Sequence, residues 1–577
     1  MRTVLLVLPL LGAVAGSQPQ PADLVLLNGN VITVDRRGTT AAAVAIKQGR
    51  IAFVGSSAAA RKYVGEGTRV IDLAGRTATP GLIDTHVHFS EPADALDLGD
   101  ARNMDDVIAK VRARAATVAP GTWVRGGGWD EGKLAERRYI TAADLDRAAT
   151  DHPVYLTHTT GHYGVANTLA LKLSGVTRET KDPPGGTIDR DKDGNPTGVM
   201  KERATSLIRT DGGGGGGGRG NMRADVVRII EGFNREGMTG AKDLNVSEAK
   251  WDVYQQLLDE GKLKVRVAVM WRGGSTIEST RQAIASMEKH RDFAPGRSIP
   301  GVNDRRLVSA GAKLYIDGSG GARTAWMHDD WNKDLTGIDT GNKGYPANGE
   351  DYPAVFKQQV MLLTEAGVHV GAHAVGDRGI DFVVDTFAEA LTAHPVKGLR
   401  HSIIHANVPT DHAIKMMASL QKTYDAGYPE AQAPFLWWIG DTYAGNFGAK
   451  RNLRLEPFAS YVKRGVIWAG GSDYSVTPYP ARYGLWASVA RETQAATYGK
   501  TPFGSAESID IRTALKSYTI WAARQLFLES EIGSLEAGKQ ADIAVWDRDM
   551  YKVPTALLKD LRCEMTIISG AVVFERR

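Results

Sequence analysis

The sequence predicts an α/β protein: a closed (β/α)8 barrel with an inserted subdomain, plus a small β-sandwich formed by the N- and C-terminal segments. Three observations predict it. The chain has 577 residues, 42% hydrophobic and 24% charged, a globular composition in a length too great for one hydrophobic core. Short alternating strands with turn residues occupy both ends. Between them, apolar β-rich runs alternate with longer stretches of helical period, the pattern of βα units and a parallel sheet.

The elements follow in order. Residues 1–17 read as a secretory leader: Arg2 is the positive end, residues 4–14 are apolar, and Ala13, Ala15, Gly16 and Ser17 form a small-residue cleavage region. That run is about half the length of a bilayer span. The mature chain is therefore expected to be exported, periplasmic or secreted, and soluble. Cys563 is the only cysteine, so no intrachain disulfide forms; export without disulfides fits a periplasm, and Cys563 reads as packing. Residues 24–27 and 31–34 flank Asn28-Gly29-Asn30, and 43–46 and 50–55 flank Lys47-Gln48-Gly49, two hairpin signals. Residues 541–546, 566–568 and 571–574 repeat the style. Segments 22–80 and 535–577 are read as the two parts of one sandwich.

Residues 81–534 form the barrel unit. Its β-rich runs are 81–88, 154–156, 240–244, 265–269, 313–316, 368–373, 402–405, 418–420 and 466–473, and its helices are expected at 222–236, 352–366, 378–393 and 455–464. About eight βα units over this length favour a TIM-type barrel. Residues 100–215 look like an insertion, ending in the seven glycines Gly212–Gly218, which read as a flexible loop. No Lys-Ser/Thr follows that tract, so it is not a phosphate cradle.

Lys+Arg of 70 against Asp+Glu of 66 gives a net charge of +4 without a long basic run, which argues against nucleic acid as a partner. The chemistry sits elsewhere. His86 and His88 are two apart on an expected strand, so both rings leave one face, and barrel chemistry gathers at the C-terminal ends of strands. Lys313, His373, His405 and Asp473 occupy similar positions. Taken singly, each is as well explained by a capped strand end; together they are harder to dismiss.

Thr79-Pro-Gly-Leu-Ile-Asp-Thr-His-Val-His88 resembles the opening motif of the metal-dependent amidohydrolase superfamily, and residues 533–547 resemble its closing segment. Lys313 with Asp317-Gly-Ser-Gly-Gly-Ala-Arg-Thr-Ala325, His373-Ala-Val-Gly-Asp377, residues 518–523, and Gly161-His162 with Asn167 and Ala170 are similar to the branch that includes N-substituted formamide deformylase. The resemblance implies a barrel carrying one or two divalent cations, with His86, His88, His373, His405 and Asp473 at metal-binding positions. Lys313 matches the position that bridges two metals when carboxylated. Uncarboxylated, it would leave a mononuclear site with a cation beside it. Two departures stand out: Ile404 precedes His405 where the branch has Glu, and Gln421-Lys-Thr-Tyr424 stands where Gln-Pro-x-His is expected on the next strand.

A nitrogen-rich ligand set favours Zn²⁺, with Fe²⁺, Mn²⁺ and Co²⁺ also compatible. The expected reaction is hydrolysis of a non-peptide C–N bond in an amide, formamide or cyclic amide by a metal-activated water. Asp473 would orient that water and move its proton, and the metal, helped by His162, would polarise the carbonyl. Arg323 would either anchor a substrate carbonyl or carboxylate or form a loop salt bridge. Asp317 and Asp377 either orient ligands or cap helices, and Trp129 and Asp130 lie where the insert can face the pocket. Ester hydrolysis, isomerisation at the same site, and a binding or regulatory role without catalysis are the competing readings. The expected partner is a small molecule; self-association stays open.

Overall fold

The computed structural model describes residues 20–89, 95–209, 222–290, 304–332, 342–497 and 504–577. The expected leader and the Gly212–Gly218 tract lie outside them. Eight parallel strands form one sheet in chain order: β1 (Leu82–Val87), β2 (Met238–Val246), β3 (Arg266–Arg272), β4 (Leu307–Tyr315), β5 (His369–Ala374), β6 (Ser402–His405), β7 (Tyr428–Ala431) and β8 (Ala469–Gly470). The first and last strands meet: Asp473 N donates to His86 O at 2.8 Å, and His88 N donates to Tyr474 O at 2.6 Å. The sheet is thus a nearly closed barrel.

Helices join the strands, and their sequences explain them. Helix Asp377–Ala393 buries Ile380, Val383, Val384, Phe387, Ala390 and Leu391, an i, i+3, i+4 stripe facing the sheet. Thr410 caps Asp411–Tyr424 by accepting Ala413 N, and Asp510 caps Ile511–Ser517 through Thr513 N. Inside the barrel, Ile83, Leu244, Ala268, Met270, Val308 and Ile404 pack with Leu526, Leu528 and Ile532. Ile404 therefore fills core where the resembling branch has a carboxylate.

Two of the expected barrel runs belong elsewhere. Val154–Thr157 pairs within a separate sheet, and residues 418–420 sit inside helix Asp411–Tyr424. The seventh barrel strand is Tyr428–Ala431, whose Pro429 and Glu430 break the apolar run that sequence reading looks for. Helix Phe458–Arg464 begins later than expected, after Pro457.

Between β1 and β2 the chain forms a six-stranded mixed sheet of residues 96–202, with its own apolar cluster that includes Leu98, Val107, Trp129, Leu156 and Val165. Two further sheets flank the barrel. One has four strands, all from residues 24–72; the other has six and interleaves the chain ends, with Thr77–Pro80 antiparallel to Ile543–Trp546. Leu26, Val44, Ile46, Ile543, Val545 and Ile567 form one cluster shared by both sheets. Cys563 is buried in a strand there.

Candidate metal centre

The end of β1 and the turn after β8 bring three groups together. His86 Nε2 lies 3.0 Å and His88 Nε2 3.3 Å from Asp473 Oδ1, and these three offer ligand atoms all within 4.8 Å of one another. The rings of His405 and His373 continue the cluster: His86 to His405 is 4.9 Å between centroids and His405 to His373 is 4.5 Å. Gly471 makes the approach possible, because a Cβ there would stand 2.9 Å from His86 N and Cβ. The small residues before Asp473 thus serve contact between β8 and β1 rather than room for a ligand.

Hydrogen bonds fix how the rings present themselves. His88 Nδ1 meets the carbonyl of Leu244 at 3.2 Å and His373 Nε2 that of Gly318 at 3.0 Å. A carbonyl only accepts, so those nitrogens carry hydrogen, and His88 Nε2 and His373 Nδ1 hold the lone pairs of the neutral rings. Gln432 does the same for His405: its Nε2 donates to Glu430 O at 2.8 Å, which turns Oε1 to accept His405 Nδ1–H at 2.7 Å. Burial pushes His86 down to about 3 against the pull of Asp473, and burial holds His373 and His405 well below the ordinary imidazole range. Burial alone would raise the Asp473 carboxyl, but the His86 and His88 rings beside it outweigh that and hold it well below its ordinary value.

This donor set fits a divalent cation. Neutral imidazoles and one carboxylate are what Zn²⁺ takes. The decisive detail is the contact between His88 Nε2 and Asp473 Oδ1. With Nδ1–H committed to Leu244, a neutral His88 faces the carboxylate lone pair to lone pair, and the contact needs positive charge between the two atoms, a second proton or a cation.

Lys313, on β4, is buried, and burial brings its ammonium down to about 7 despite Asp473 and Glu430. Its Nζ lies 4.8 Å from the Tyr315 ring centroid, and it has no hydrogen bond among the described residues. Glu430, missed by sequence reading, pairs with Lys242 inside the barrel, and Lys242 Nζ also lies 2.9 Å from His369 Nε2. Gln432 was missed as well; the turn Asp425-Ala426-Gly427, with both end residues left-handed, was the signal that a strand begins at 428. Gln421, expected on the strand after His405, instead lies in helix Asp411–Tyr424 and bonds both ways to the Ile467 backbone, at 2.9 and 3.0 Å.

The six-stranded sheet of residues 96–202 reaches the mouth through the tip 158–162. The His162 ring lies 5.2 Å from that of His373, and Nδ1 lies 3.0 Å from Glu202 Oε2. Burial would lower His162, but the Glu202 charge and hydrogen bond overcome it and raise the ring above its ordinary value. Arg323 is buried in the loop after β4 and donates through Nε to Asn446 Oδ1 at 3.0 Å. Asp317 accepts Trp326 N, Val375 N and Gly376 N at 2.8–3.0 Å and lies 3.6 Å from His373 Nε2, so it both braces the helix start and backs a ring. Asp377, the first residue of its helix, accepts His328 N from the loop after β4 and its neighbour Arg378 N.

Trp129 and Asp130 are both buried, and Asp130 accepts Thr442 Oγ1 from helix Gly440–Arg451, outside residues 96–202. Asp130, Glu131 and His158 form a second close group. There, Thr160 N donates to His158 Nδ1 at 3.2 Å, which places the ring hydrogen on Nε2, 3.1 Å from Glu131 Oε2. Among the described residues, His158 Nε2 and Asp130 Oδ2 stay buried there without a hydrogen bond.

Comparison with known proteins agrees with this geometry. The chain is 29% identical to N-substituted formamide deformylase of Arthrobacter pascens, over 96% of the chain and 99% of the relative. It is 28% identical to Protein LONG AFTER FAR-RED 3 of Arabidopsis thaliana, over 93% of the chain and 90% of the relative. Its fold matches an uncharacterised metal-dependent hydrolase of Pyrococcus horikoshii with a TM-score of 0.65 at 24% identity, over 92% of this chain and 99% of that one. Residues 69–574 match the amidohydrolase family. The chain belongs to that family and is a metal-dependent amidohydrolase.

Proposed function

We propose that the protein hydrolyses carbon–nitrogen bonds other than peptide bonds, in amides, formamides or cyclic amides. The single observation that carries this is the meeting of His86, His88 and Asp473 at the barrel mouth, with ligand atoms all within 4.8 Å of one another. Similarity to the Arthrobacter deformylase supports the bond type. His86, His88, His373, His405 and Asp473 are the residues assigned to a divalent cation, Zn²⁺ by their chemistry. Lys313, with a large neutral fraction near pH 7, is the amine that would join them as a carbamate. Such a cation, when bound, supplies Lewis acidity that acidifies water and polarises a carbonyl.

The chain's own groups do the rest. Asp473 orients the attacking water, takes its proton and delivers it to the leaving nitrogen. His162 donates through Nε2 to the carbonyl oxygen as charge develops there. Arg323, held through Nε by Asn446, is the basic group assigned to a substrate carbonyl or carboxylate. The four-stranded and six-stranded terminal sheets are read as one sandwich, and residues 96–202 as an inserted subdomain. Arg2, the apolar run 4–14 and the small residues after it support export to a periplasm or beyond.

Asp473→Asn tests the assignment. Metal content, measured by elemental analysis, is expected to survive at least in part, while turnover of an N-substituted formamide falls by roughly 10²–10⁴. Retained turnover would remove Asp473 from the proton-transfer role.

A further inference from the structure

His162 belongs to the insert yet stands at the barrel mouth, and a specific device holds it there. Its tip is tied down at two points: Thr159 Oγ1 donates to Val476 O at 2.9 Å, and Glu202 N donates to His162 O at 2.7 Å. Glu202 ends the strand Pro196–Glu202. Its carboxylate meets His162 Nδ1 with both oxygens, at 3.0 and 3.1 Å, and accepts Thr324 Oγ1 from the loop after β4. A Cβ on Gly318, in the same loop, would collide with Glu202 Oε1, so that glycine admits the carboxylate. Glu202 arrives there with φ 50° and ψ −126°, a backbone that L side chains rarely adopt and that persists only where the surroundings impose it.

Building on the reading of His162 as donor to the substrate carbonyl, we infer that Glu202 is the positioning residue of that histidine. It pins Nδ1–H, fixes the ring plane across the boundary between insert and barrel, and leaves Nε2 as the edge offered to substrate. Glu202 itself touches no reacting atom. The arrangement matches the way carboxylates orient functional imidazoles elsewhere.

Proton NMR in water tests this without relying on turnover. The His162 Nδ1–H signal is the downfield imidazole resonance that His162→Asn removes. Glu202→Gln is expected to shift it upfield while other imidazole signals stay, and Glu202→Ala to abolish it. With p-nitroformanilide as probe, Glu202→Gln lowers kcat roughly tenfold with KM changed less than about twofold, and adds no loss in the His162→Asn background. If Glu202→Ala does not fold, Thr324→Val, which removes one bond to the carboxylate, is expected to shift the same signal by a smaller amount. No signal lost in His162→Asn, a signal unmoved by Glu202→Gln, or independent kinetic losses would overturn the inference. Unchanged turnover in His162→Asn would instead defeat the donor reading of His162, while the spectrum still decides for or against Glu202.

Discussion

At the scale of single residues, burial sets protonation and hydrogen bonds set orientation. Gln432 shows the second. It commits His405 Nδ1–H and leaves Nε2 as the lone pair, and its amide also stands 3.4 Å from His86 Nδ1. Gln432→Leu is expected to weaken Zn²⁺ affinity roughly 10–100-fold, measured by chelator competition on protein stripped of metal. Glu456 shows the first: fully buried, one oxygen accepting Asn407 Nδ2 at 2.6 Å, its carboxyl is pushed by burial from 4.5 up to about 8. Between those values the folded chain holds a proton that the unfolded chain releases, so this group's contribution to stability falls as pH rises through the window. Glu456→Gln removes the titration, and its stability relative to the parent is expected to rise by up to about 1.4 kcal/mol per pH unit across that window. Denaturant midpoints at several pH values read it, and a difference constant with pH would contradict the buried acid. Sequence alone exposed the histidines and Asp473, because a ligand must sit at a strand end with a recognisable neighbour. It hid Glu430 and Gln432, because the strand Tyr-Pro-Glu-Ala that holds the first and precedes the second has no apolar pattern and only the turn before it marks its start.

Among elements, the join between β1 and β8 matters most, since it carries three of the clustered groups. Asp84 is its fastener: the carboxylate accepts His86 N and Ser472 N at 3.0 Å and Ser472 Oγ at 2.5 Å. Burial pushes this carboxyl up to about 7 against those same bonds. Asp84→Ala strands buried donors on both sides of the join, and a loss of roughly 2–3 kcal/mol is expected. Thermal unfolding with and without Zn²⁺ reads it, and metal stabilisation should shrink together with the parent stability. The long helices were legible because their stripes are strong, as in Asp377–Ala393. The strand order was not, because Val154–Thr157 carries the same apolar signature as a barrel strand and only its partners, Val124–Gly127 and Tyr163–Ala166, place it in a separate sheet.

Across the whole molecule, a buried ion pair helps tie the barrel to the terminal sheets. Arg266, at the start of β3, donates through Nε and Nη2 to Asp542 at 2.7 and 2.8 Å, with both side chains out of solvent. Asp542→Ala leaves a guanidinium buried without its carboxylate, and a loss of roughly 3–5 kcal/mol in unfolding free energy is expected, read by denaturant titration; a change under about 1 kcal/mol would show that the two parts hold together without it. That the chain ends would meet was readable from their matching hairpin style, whereas this long-range bond has no local mark. Their meeting also bears on synthesis. Thr77–Pro80 keeps one edge open until Ile543–Trp546 arrives, so the six-stranded terminal sheet cannot zip shut until nearly the whole chain has been made, a delay that leaves an unpaired strand edge exposed to aggregation.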